Sequence, residues 1–458
     1  MRDRPRRSSF APPKLESTVV LDLWNTLSLG HLFNPLTFFF LSAHTRGQGR
    51  DEGRNRKLVV TMAADNSNVK ERFALIKENL AEFLNEEIIK KVVDEGGHPK
   101  IYWGTATTGR PHCGYLVPAI KMAQFLAAGC ELTVLLADIH GFLDNLKAPL
   151  ELVMHRAEFY RYTISTLLGA VGVSTEKLKI VLGSSYQKSA EYVMDVYKMA
   201  SIISEHDAKK AGAEIVKQTD NAPLSGLLYP ILQVLDEQYL DVDAQFGGVD
   251  QRKLFIAAKE WLPKLGYKER AHLMNPMVPG LHGGKMSSSD PDSKIDLLDS
   301  PETVAKKIKK AHAAPQVTED NGLLAFIEYV LLPASGLRGK KEFKVERERD
   351  GLETLVYEDI EKIREDYKND ILTPQLIKPA ITRDLNALLA PIQEAFKNNK
   401  EWQEIAEKAY PPPPKKEKKV KNKGTRYPGG GKAEEKALPV RTNGDAPAEA
   451  TEAAPSAQ

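Results

Sequence analysis

The chain has 458 residues, 42% hydrophobic and 28% charged, a composition that marks a globular protein with one large core and room for a smaller second one. A net charge of +2 excludes a global electrostatic pull on nucleic acid, so any RNA site must be a local patch. Two cysteines, Cys113 and Cys130, exclude a disulfide framework and a zinc cluster, and a reducing compartment is the simplest setting.

Residues 1–61 open with Arg2, Arg4, Arg6 and Arg7 and carry the run Phe38-Phe39-Phe40. Asn34 and Pro35 interrupt that apolar stretch, which is too short to span a bilayer. The Arg- and Ser-rich start suits a transit peptide, but Asp3, Glu16, Asp22, Asp51 and Glu52 dilute the acid-poor composition of such segments. The alternative favoured is an extension, disordered or non-native, upstream of an internal start at Met62.

From Met62 on, the pattern alternates. Residues 69–93 read as a helix, KIYWGTA at 100–106 as a short strand, and 116–128 as a helix ended by Gly129. ELTVLLA at 131–137 reads as a buried strand, 148–171 as a long helix and 179–183 as a further strand. This βαβαβ order predicts an α/β fold, a doubly wound, Rossmann-type parallel sheet. Helices are expected at 225–240 and 252–261, around the strand-like VDAQF. Beyond about residue 300 helices dominate, at 301–311, 322–332, 357–367 and 378–398, which predicts a helical second domain. Pro411 to Pro414 stop the pattern, and the lysine run and Ala/Pro/Glu-rich finish of 411–458 are expected to be a disordered tail. That tail is either merely solubilising or weakly attractive to phosphates.

Ligands in such a sheet bind beyond the carboxyl ends of the strands, where loops feed helix N-termini. TTGRPHCGY, from Thr107 to Tyr115, lies there. Gly104 and Gly109 permit close backbone approach to a nucleotide, Pro111 stiffens the turn, and His112 can donate to a phosphate oxygen. Much later come Lys285, Met286, Ser287, Ser288 and Ser289, preceded by Gly280, Gly283 and Gly284. A lysine on a glycine-flanked loop can reach the β- and γ-phosphates as pyrophosphate departs; the plain alternative is a Gly/Ser surface loop. On helix 225–240, Tyr229, Gln233 and Asp236 recur at i, i+4 and i+7 and share a face, which either meets water or lines a pocket for a zwitterionic aromatic substrate. Gly247 and Gly248 would let the backbone approach a ribose, with Asp250 accepting from its hydroxyl and Gln251 following.

Across KIYWGTATTGRPH, SGLLYPILQVLDEQYL, VDAQFGGVDQRK and LMNPMVPGL…KMSSS, from about residue 69 to 410, the chain resembles the class I aminoacyl-tRNA synthetases specific for tyrosine, of the cytosolic eukaryotic and archaeal type. His112, Cys113, Gly114 and Tyr115 occupy the HIGH signature and depart from it at the second and fourth positions; Ser288 replaces the second lysine of KMSKS, leaving Lys285 to carry more of the phosphate charge. The resemblance implies a Rossmann-type catalytic domain at 62–300, a helical connection at 301–341 and a helical anticodon-binding domain at 342–410. It implies that Asp236 and Tyr102 meet the phenolic hydroxyl of L-tyrosine while Tyr229, Gln233 and Gln251 hold its amino group and ring. ATP, arriving with Mg²⁺ and no tightly bound cofactor, would contact Gly104, Thr107, Gly109, His112, Tyr115, Gly247, Gly248, Asp250, Lys285, Met286 and Ser287, with His112 and Lys285 catalytic. It further implies tRNA(Tyr) as partner, a cytoplasmic homodimer and no membrane association. Phe343, Tyr357, Tyr367 and Trp402 are available as base-stacking aromatics, and AKKIKK at 305–310 is either a solvated face, a phosphate contact or a nuclear signal. The alternatives are a tryptophanyl-tRNA synthetase, which shares the architecture, and a synthetase-like RNA-binding protein without catalysis.

Overall fold

The computed structural model of the chain describes residues 69–144, 148–216, 223–280, 294–347 and 351–411. The chain divides into Met1–Thr61 and Met62–Gln458, and every described residue belongs to the second unit. The N-terminal extension, the loop carrying Lys285, Met286 and Ser287, and the C-terminal tail lie outside the described residues.

In chain order the first elements are α1 (Val69–Lys77), β1 (Glu82–Leu84), α2 (Glu86–Asp94), β2 (Lys100–Thr105), α3 (Leu116–Ala127), β3 (Glu131–Leu136), α4 (Asp138–Leu143), α5 (Leu150–Ala170), β4 (Leu178–Leu182), α6 (Ala190–Ile202) and α7 (Glu205–Ala211). There follow α8 (Ser225–Tyr239), β5 (Ala244–Gly248), α9 (Arg252–Trp261), β6 (Ala271–Asn275), α10 (Pro301–Lys310), α11 (Gly322–Phe326), α12 (Leu332–Leu337), β7 (Phe343–Val345), β8 (Leu355–Tyr357), α13 (Ile360–Lys368), α14 (Pro374–Asn398) and α15 (Lys400–Ala409).

Among the described residues the main sheet has the order β1-β6-β5-β2-β3-β4, parallel throughout except where β1 runs against β6. The chain leaves β2 outward to β3 and β4, then returns to β5 and β6 on the other side. At the β2–β5 seam the crossovers depart in opposite directions, so a crevice opens beyond the carboxyl ends of these two strands. The pleat then decides which side chain faces which layer. Ile101 and Trp103 of β2 join the core under α3 and α5, and Tyr102 between them points to the opposite face, with Leu135 and Val242.

Several sequence expectations change. Residues 69–93 are not one helix: Asn79 and Asn85 take left-handed backbone (φ 59° and 52°), and β1 lies between them, with Ala81 N–H bonded to Met274 O at 2.8 Å. The Asn85 amide donates to Arg270 O at 3.0 Å, which holds this break against the sheet edge. Residues 322–332 divide into α11, a π turn over Ile327–Leu331 and α12, where Pro333 lacks the N–H that a continuous ladder requires. Tyr357 belongs to the β7–β8 pair and not to a helix; α13 starts three residues later, capped by Asp359, whose carboxylate accepts from Lys362 N–H at 2.9 Å.

The candidate base-stacking aromatics are core residues. Phe343, Tyr357, Tyr367 and Trp402 are all buried, Tyr357 donates to Asp366 at 3.0 Å and Tyr367 to Ala314 O at 3.0 Å. On α10 Lys307 pairs with Asp299 at 2.7 Å, while Lys306, Lys309 and Lys310 form the exposed face.

Helix α15 packs along α5 through an aromatic cluster: Trp402 stacks on Tyr162 (centroids 5.6 Å apart) and meets Phe159 and Phe396 at 6.0 and 5.2 Å. Trp402→Ala is expected to destabilise the protein by about 3–5 kcal/mol, since neighbours held by two helices cannot collapse into the cavity. The midpoint of urea unfolding checks this, with the slope expected to be unchanged.

Candidate active site

The loop leaving β2 is pinned from below. Gly109 O accepts from the hydroxyls of Tyr160 (2.6 Å) and Tyr410 (2.8 Å), and Arg110 lies 5.8 Å from the ring centroids of both Phe159 and Tyr410. Tyr115 continues the hydroxyl chain, bonding Tyr160 at 3.0 Å and Thr105 at 3.3 Å. Thr107 and Gly109 therefore line neither of the cavities described below. Thr107 is fully buried with its hydroxyl 3.5 Å from Val153 O, and Gly109 turns its carbonyl to the two tyrosines.

His112 has extended backbone, and its Nδ1 accepts from Gly114 N–H at 3.1 Å. A nitrogen that accepts carries no proton, so the ring N–H is on Nε2. Burial, reinforced by the charge of Lys294, pushes the imidazole down to about 4, and His112 is a neutral donor throughout the physiological range.

The segment just after the Lys285 loop is strapped to this same loop. Cys113 N–H donates to Ile295 O at 2.8 Å, His112 and Asp296 form a bridge, and Arg110 pairs with Asp296 at 3.0 Å. The chain that follows the second signature is thereby fixed near the first, while Gly280, on its other side, packs against the start of α11, where a Cβ on Gly322 would fall 2.6 Å from Gly280 O.

Two adjoining cavities occupy the β2–β5 crevice. One, of about 250 Å³, is lined by His112, Tyr115, Gly247, Gly248 and Asp250 together with Trp103 and the Asn275–Val278 turn. The other, of about 290 Å³, is lined by Tyr102, Gly104, Tyr229, Gln233, Asp236 and Gln251, with His140. The structure thus brings together every described residue assigned from sequence except Thr107 and Gly109.

Asp236 is wholly buried in the second cavity and its two oxygens differ. Oδ1 accepts from Tyr186 hydroxyl (2.7 Å), Gln187 Nε2 (2.8 Å) and Tyr192 hydroxyl (2.9 Å). Oδ2 has no hydrogen-bond partner and stands 3.8 Å from His140 Nε2, beyond bonding reach. Burial raises the carboxyl to about 7; the three donors oppose the rise and the charge of Glu237 adds to it. Tyr102 hydroxyl makes only a long contact, 3.4 Å, to Gln233 O, and the Gln233 amide donates to Gln251 Oε1 at 2.9 Å. Tyr229 meets the His140 ring edge-on at 4.7 Å.

The glycine pair lines both cavities and also packs closely against the residues that follow it. A Cβ on Gly247 would meet Phe255 at 2.9 Å and Gln251 at 3.0 Å, and one on Gly248 would lie 2.6 Å from Asp250 Oδ1. The Phe255 ring of α9 packs back onto Gly247, whereas at Gly248 the near atom is the movable end of the Asp250 side chain. Sequence reasoning missed His140, Tyr186, Gln187 and Tyr192. The available signal was position: His140 and the Tyr186-Gln187 pair lie just beyond the carboxyl ends of β3 and β4.

The family described as tRNA synthetases class I (W and Y) matches residues 94–390. Among curated relatives, the cytoplasmic tyrosine–tRNA ligase of Saccharomyces cerevisiae is 54% identical over 374 residues, covering 80% of this chain and 95% of its own length. That of Gallus gallus is 51% identical over 360 residues, 79% of this chain but 67% of the longer relative. Among solved structures, tyrosyl-tRNA synthetase from Archaeoglobus fulgidus complexed with L-tyrosine is 35% identical, with a TM-score of 0.66, covering 72% of this chain and 99% of that one.

The two glycines separate packing from binding. Gly247→Ala is expected to cost about 1–3 kcal/mol of stability, because the Phe255 ring has to shift. Gly248→Ala turns only the end of the Asp250 side chain, leaving unfolding within about 1 kcal/mol of the parent while ATP affinity falls about tenfold, one lost hydrogen bond. Urea unfolding and calorimetric titration with ATP measure the two effects.

Proposed function

The chain belongs to the class I tRNA synthetases of the tyrosine and tryptophan type, and we infer that it is a cytoplasmic tyrosine–tRNA ligase, which activates L-tyrosine with ATP and passes it to the 3′-terminal adenosine of tRNA(Tyr). The single open oxygen of Asp236 carries the choice of amino acid. A phenol can donate to Oδ2 and accept from the Tyr102 hydroxyl, which exchanges its long contact with Gln233 O for a better one. An indole can only donate, and phenylalanine leaves both groups buried and unpaired, which is where strong rejection arises.

In the first step the tyrosine carboxylate attacks the α-phosphorus of ATP and pyrophosphate leaves. In the second, the terminal adenosine hydroxyl of the tRNA attacks the carbonyl carbon of tyrosyl-adenylate and AMP leaves. His112 donates from Nε2 to an α-phosphate oxygen as charge develops there, an interaction stronger in the transition state than in the ground state. Tyr229, Gln233 and Gln251 are assigned to the ammonium group and ring of tyrosine. The Gln233–Gln251 amide bond opens so that both side-chain carbonyls can accept from the ammonium. Gly104, Tyr115, Gly247, Gly248 and Asp250 are assigned to the nucleotide, with Thr107 and Gly109 supporting the loop. Lys285, Met286 and Ser287 are assigned to the departing phosphates, a role supported by the strap that ties Ile295 and Asp296 to His112 and Cys113. Mg²⁺ accompanies ATP as a hard cation on phosphate oxygens, and no tightly bound cofactor is assigned.

A homodimer belongs to the same reading and is supported by Met194, Tyr197 and Ile202, which form an exposed apolar stripe on one side of α6. Residues 342–410 are assigned to anticodon binding by resemblance to the family. The buried state of Phe343, Tyr357, Tyr367 and Trp402 leaves base contacts to other side chains.

Exchange of labelled pyrophosphate into ATP tests the reading. Tyrosine is expected to support exchange and phenylalanine and tryptophan are not. Exchange with tryptophan alone overturns the amino-acid assignment, and no exchange with any of the three favours the non-catalytic alternative. The pH dependence is also fixed. Between the ordinary aspartate value near 4 and about 7 the native carboxyl holds a proton and cannot accept on an ionised oxygen. Tyrosine affinity is therefore expected to be full above pH 7 and to fall about tenfold per unit below it, as calorimetric titration from pH 5.5 to 8.5 will register.

A further inference from the structure

We propose that Tyr186, Gln187 and Tyr192 are the positioning residues for substrate selection: by saturating one oxygen of Asp236 they present the other, alone, to the substrate hydroxyl. This rests on the tyrosine reading above and goes beyond it, since none of the three lines the amino-acid cavity as a contact of the substrate.

The geometry is that of a built holder. The donors come from two pieces of chain, Tyr186 and Gln187 from the turn after β4 and Tyr192 from α6, and they converge on Oδ1 within 2.7–2.9 Å. Tyr192 hydroxyl also lies 2.9 Å from Leu232 O; a hydroxyl has one proton, and the ionised carboxylate is the stronger acceptor. The Tyr186 and Tyr192 rings meet edge-on at 5.7 Å, and Tyr192 meets Tyr239 at 4.7 Å, so the hydroxyls do not wander. The Gln187 amide is oriented by its bond to Asp236, and its carbonyl sits where a Cβ on Gly183 would come within 2.8 Å.

Among the described residues the surroundings supply no other means of holding the charge. Facing Asp236 are Tyr102 from β2, His140 from α4, Tyr186 and Gln187 from the turn, Tyr192 from α6, and Tyr229 and Glu237 from its own helix. Glu237 is acidic and bonded to His272 at 2.8 Å, His140 is held neutral with its imidazole near 4, and the Arg270 charge is spent on Val242 O, Lys268 O and Gln238. Neutral donors therefore do what a cation would otherwise do. Deleting one both loosens the carboxylate plane and favours its protonated form.

The test uses the full chain, with tyrosine- and phenylalanine-dependent pyrophosphate exchange measured from pH 6 to 9 for Tyr186→Phe, Gln187→Met and Tyr192→Phe. Each is expected to move the pH midpoint of kcat/KM for tyrosine upward by about one unit, to lower kcat/KM at pH 7 about fivefold, and to recover most of it at pH 9. The phenylalanine rate is expected to stay where it is, so discrimination narrows by the same factor. Recovery at alkaline pH is the signature that a general packing defect lacks. Gly183→Ala, which displaces the Gln187 amide without removing an aromatic ring, is expected to give the same alkaline shift if a tyrosine variant folds poorly. An unchanged midpoint and unchanged discrimination in all four, with the parent active on tyrosine, overturns the positioning role and leaves the ligase reading standing. A parent inactive on tyrosine overturns the ligase reading, and the positioning role with it.

Discussion

Burying an ionisable carboxylate in the last turn of a helix, with no cation within reach among the described residues, costs several kcal/mol unless hydrogen-bond donors replace the water it loses. Helix α8 does this at Asp236, and much of the surrounding architecture follows from it. Helix α6 must lie where Tyr192 can reach, the turn after β4 must present Tyr186 and Gln187 together, and Gly183 must stay small beneath the amide. The neighbouring acid, Glu237, is rotated about 100° around the helix and is met by His272 of β6. Two successive acids thus tie α8 to opposite surroundings, one to the sheet and one to the cavity. Each leaves one oxygen without a hydrogen bond, but of the two only Asp236 lines the cavity, where a ligand can relieve the unfavourable arrangement of an open buried acceptor.

The second constraint is mechanical. The two signature segments, assigned above to the nucleotide, are about 170 residues apart in sequence, which would place a heavy entropic burden on any mechanism needing both at once. The bonds from His112 and Cys113 to Asp296 and Ile295 remove most of that burden before a substrate arrives. Arg110 is consumed in the same strap, paired with Asp296 and packed against Phe159 and Tyr410, so its charge anchors the loop. Tyr410, at the end of α15, reaches the same loop through Gly109 O, which makes the last helical turn of the described chain part of the support for the first signature.

What the sequence disclosed, and what it hid, has a physical pattern. Strands β2 to β5 and helices α3, α5, α8 and α9 were legible because buried parallel strands are nearly uniform apolar runs and their helices have clear periodicity. Residues that line the cavities stood out by motif and spacing: Tyr229, Gln233 and Asp236 share a helical face by arithmetic alone. Residues that act on other residues did not. Tyr186 and Tyr192 read as ordinary aromatics, and nothing local in Gln187 announces that its partner is 49 positions away. The break of 69–93 was hidden for a related reason, because left-handed asparagines and a three-residue strand depend on Met274 and Arg270, which are distant in sequence. Likewise, Phe343, Tyr357, Tyr367 and Trp402 are indistinguishable by composition from stacking residues until the helices that cover them are placed.

The separation of the two titrating groups gives the site its working range. His112 is held near 4 by burial and a nearby lysine, Asp236 near 7 by burial and the charge of Glu237 with donors opposing. Between those values the histidine is already a neutral donor, while the aspartate is still gaining its charge. With His112 assigned to phosphate and Asp236 to the phenol, as proposed, activation chemistry and amino-acid recognition do not share a pH threshold, and a change near neutrality belongs to recognition. The tautomer of His112 strengthens this division. Since Gly114 N–H occupies Nδ1, the ring has one proton to offer and one direction in which to offer it, at every pH where the protein works. On the proposed assignment, specificity rests on an ionisation set by three neutral side-chain hydrogen bonds, whereas the donor at the phosphate is oriented by a backbone N–H.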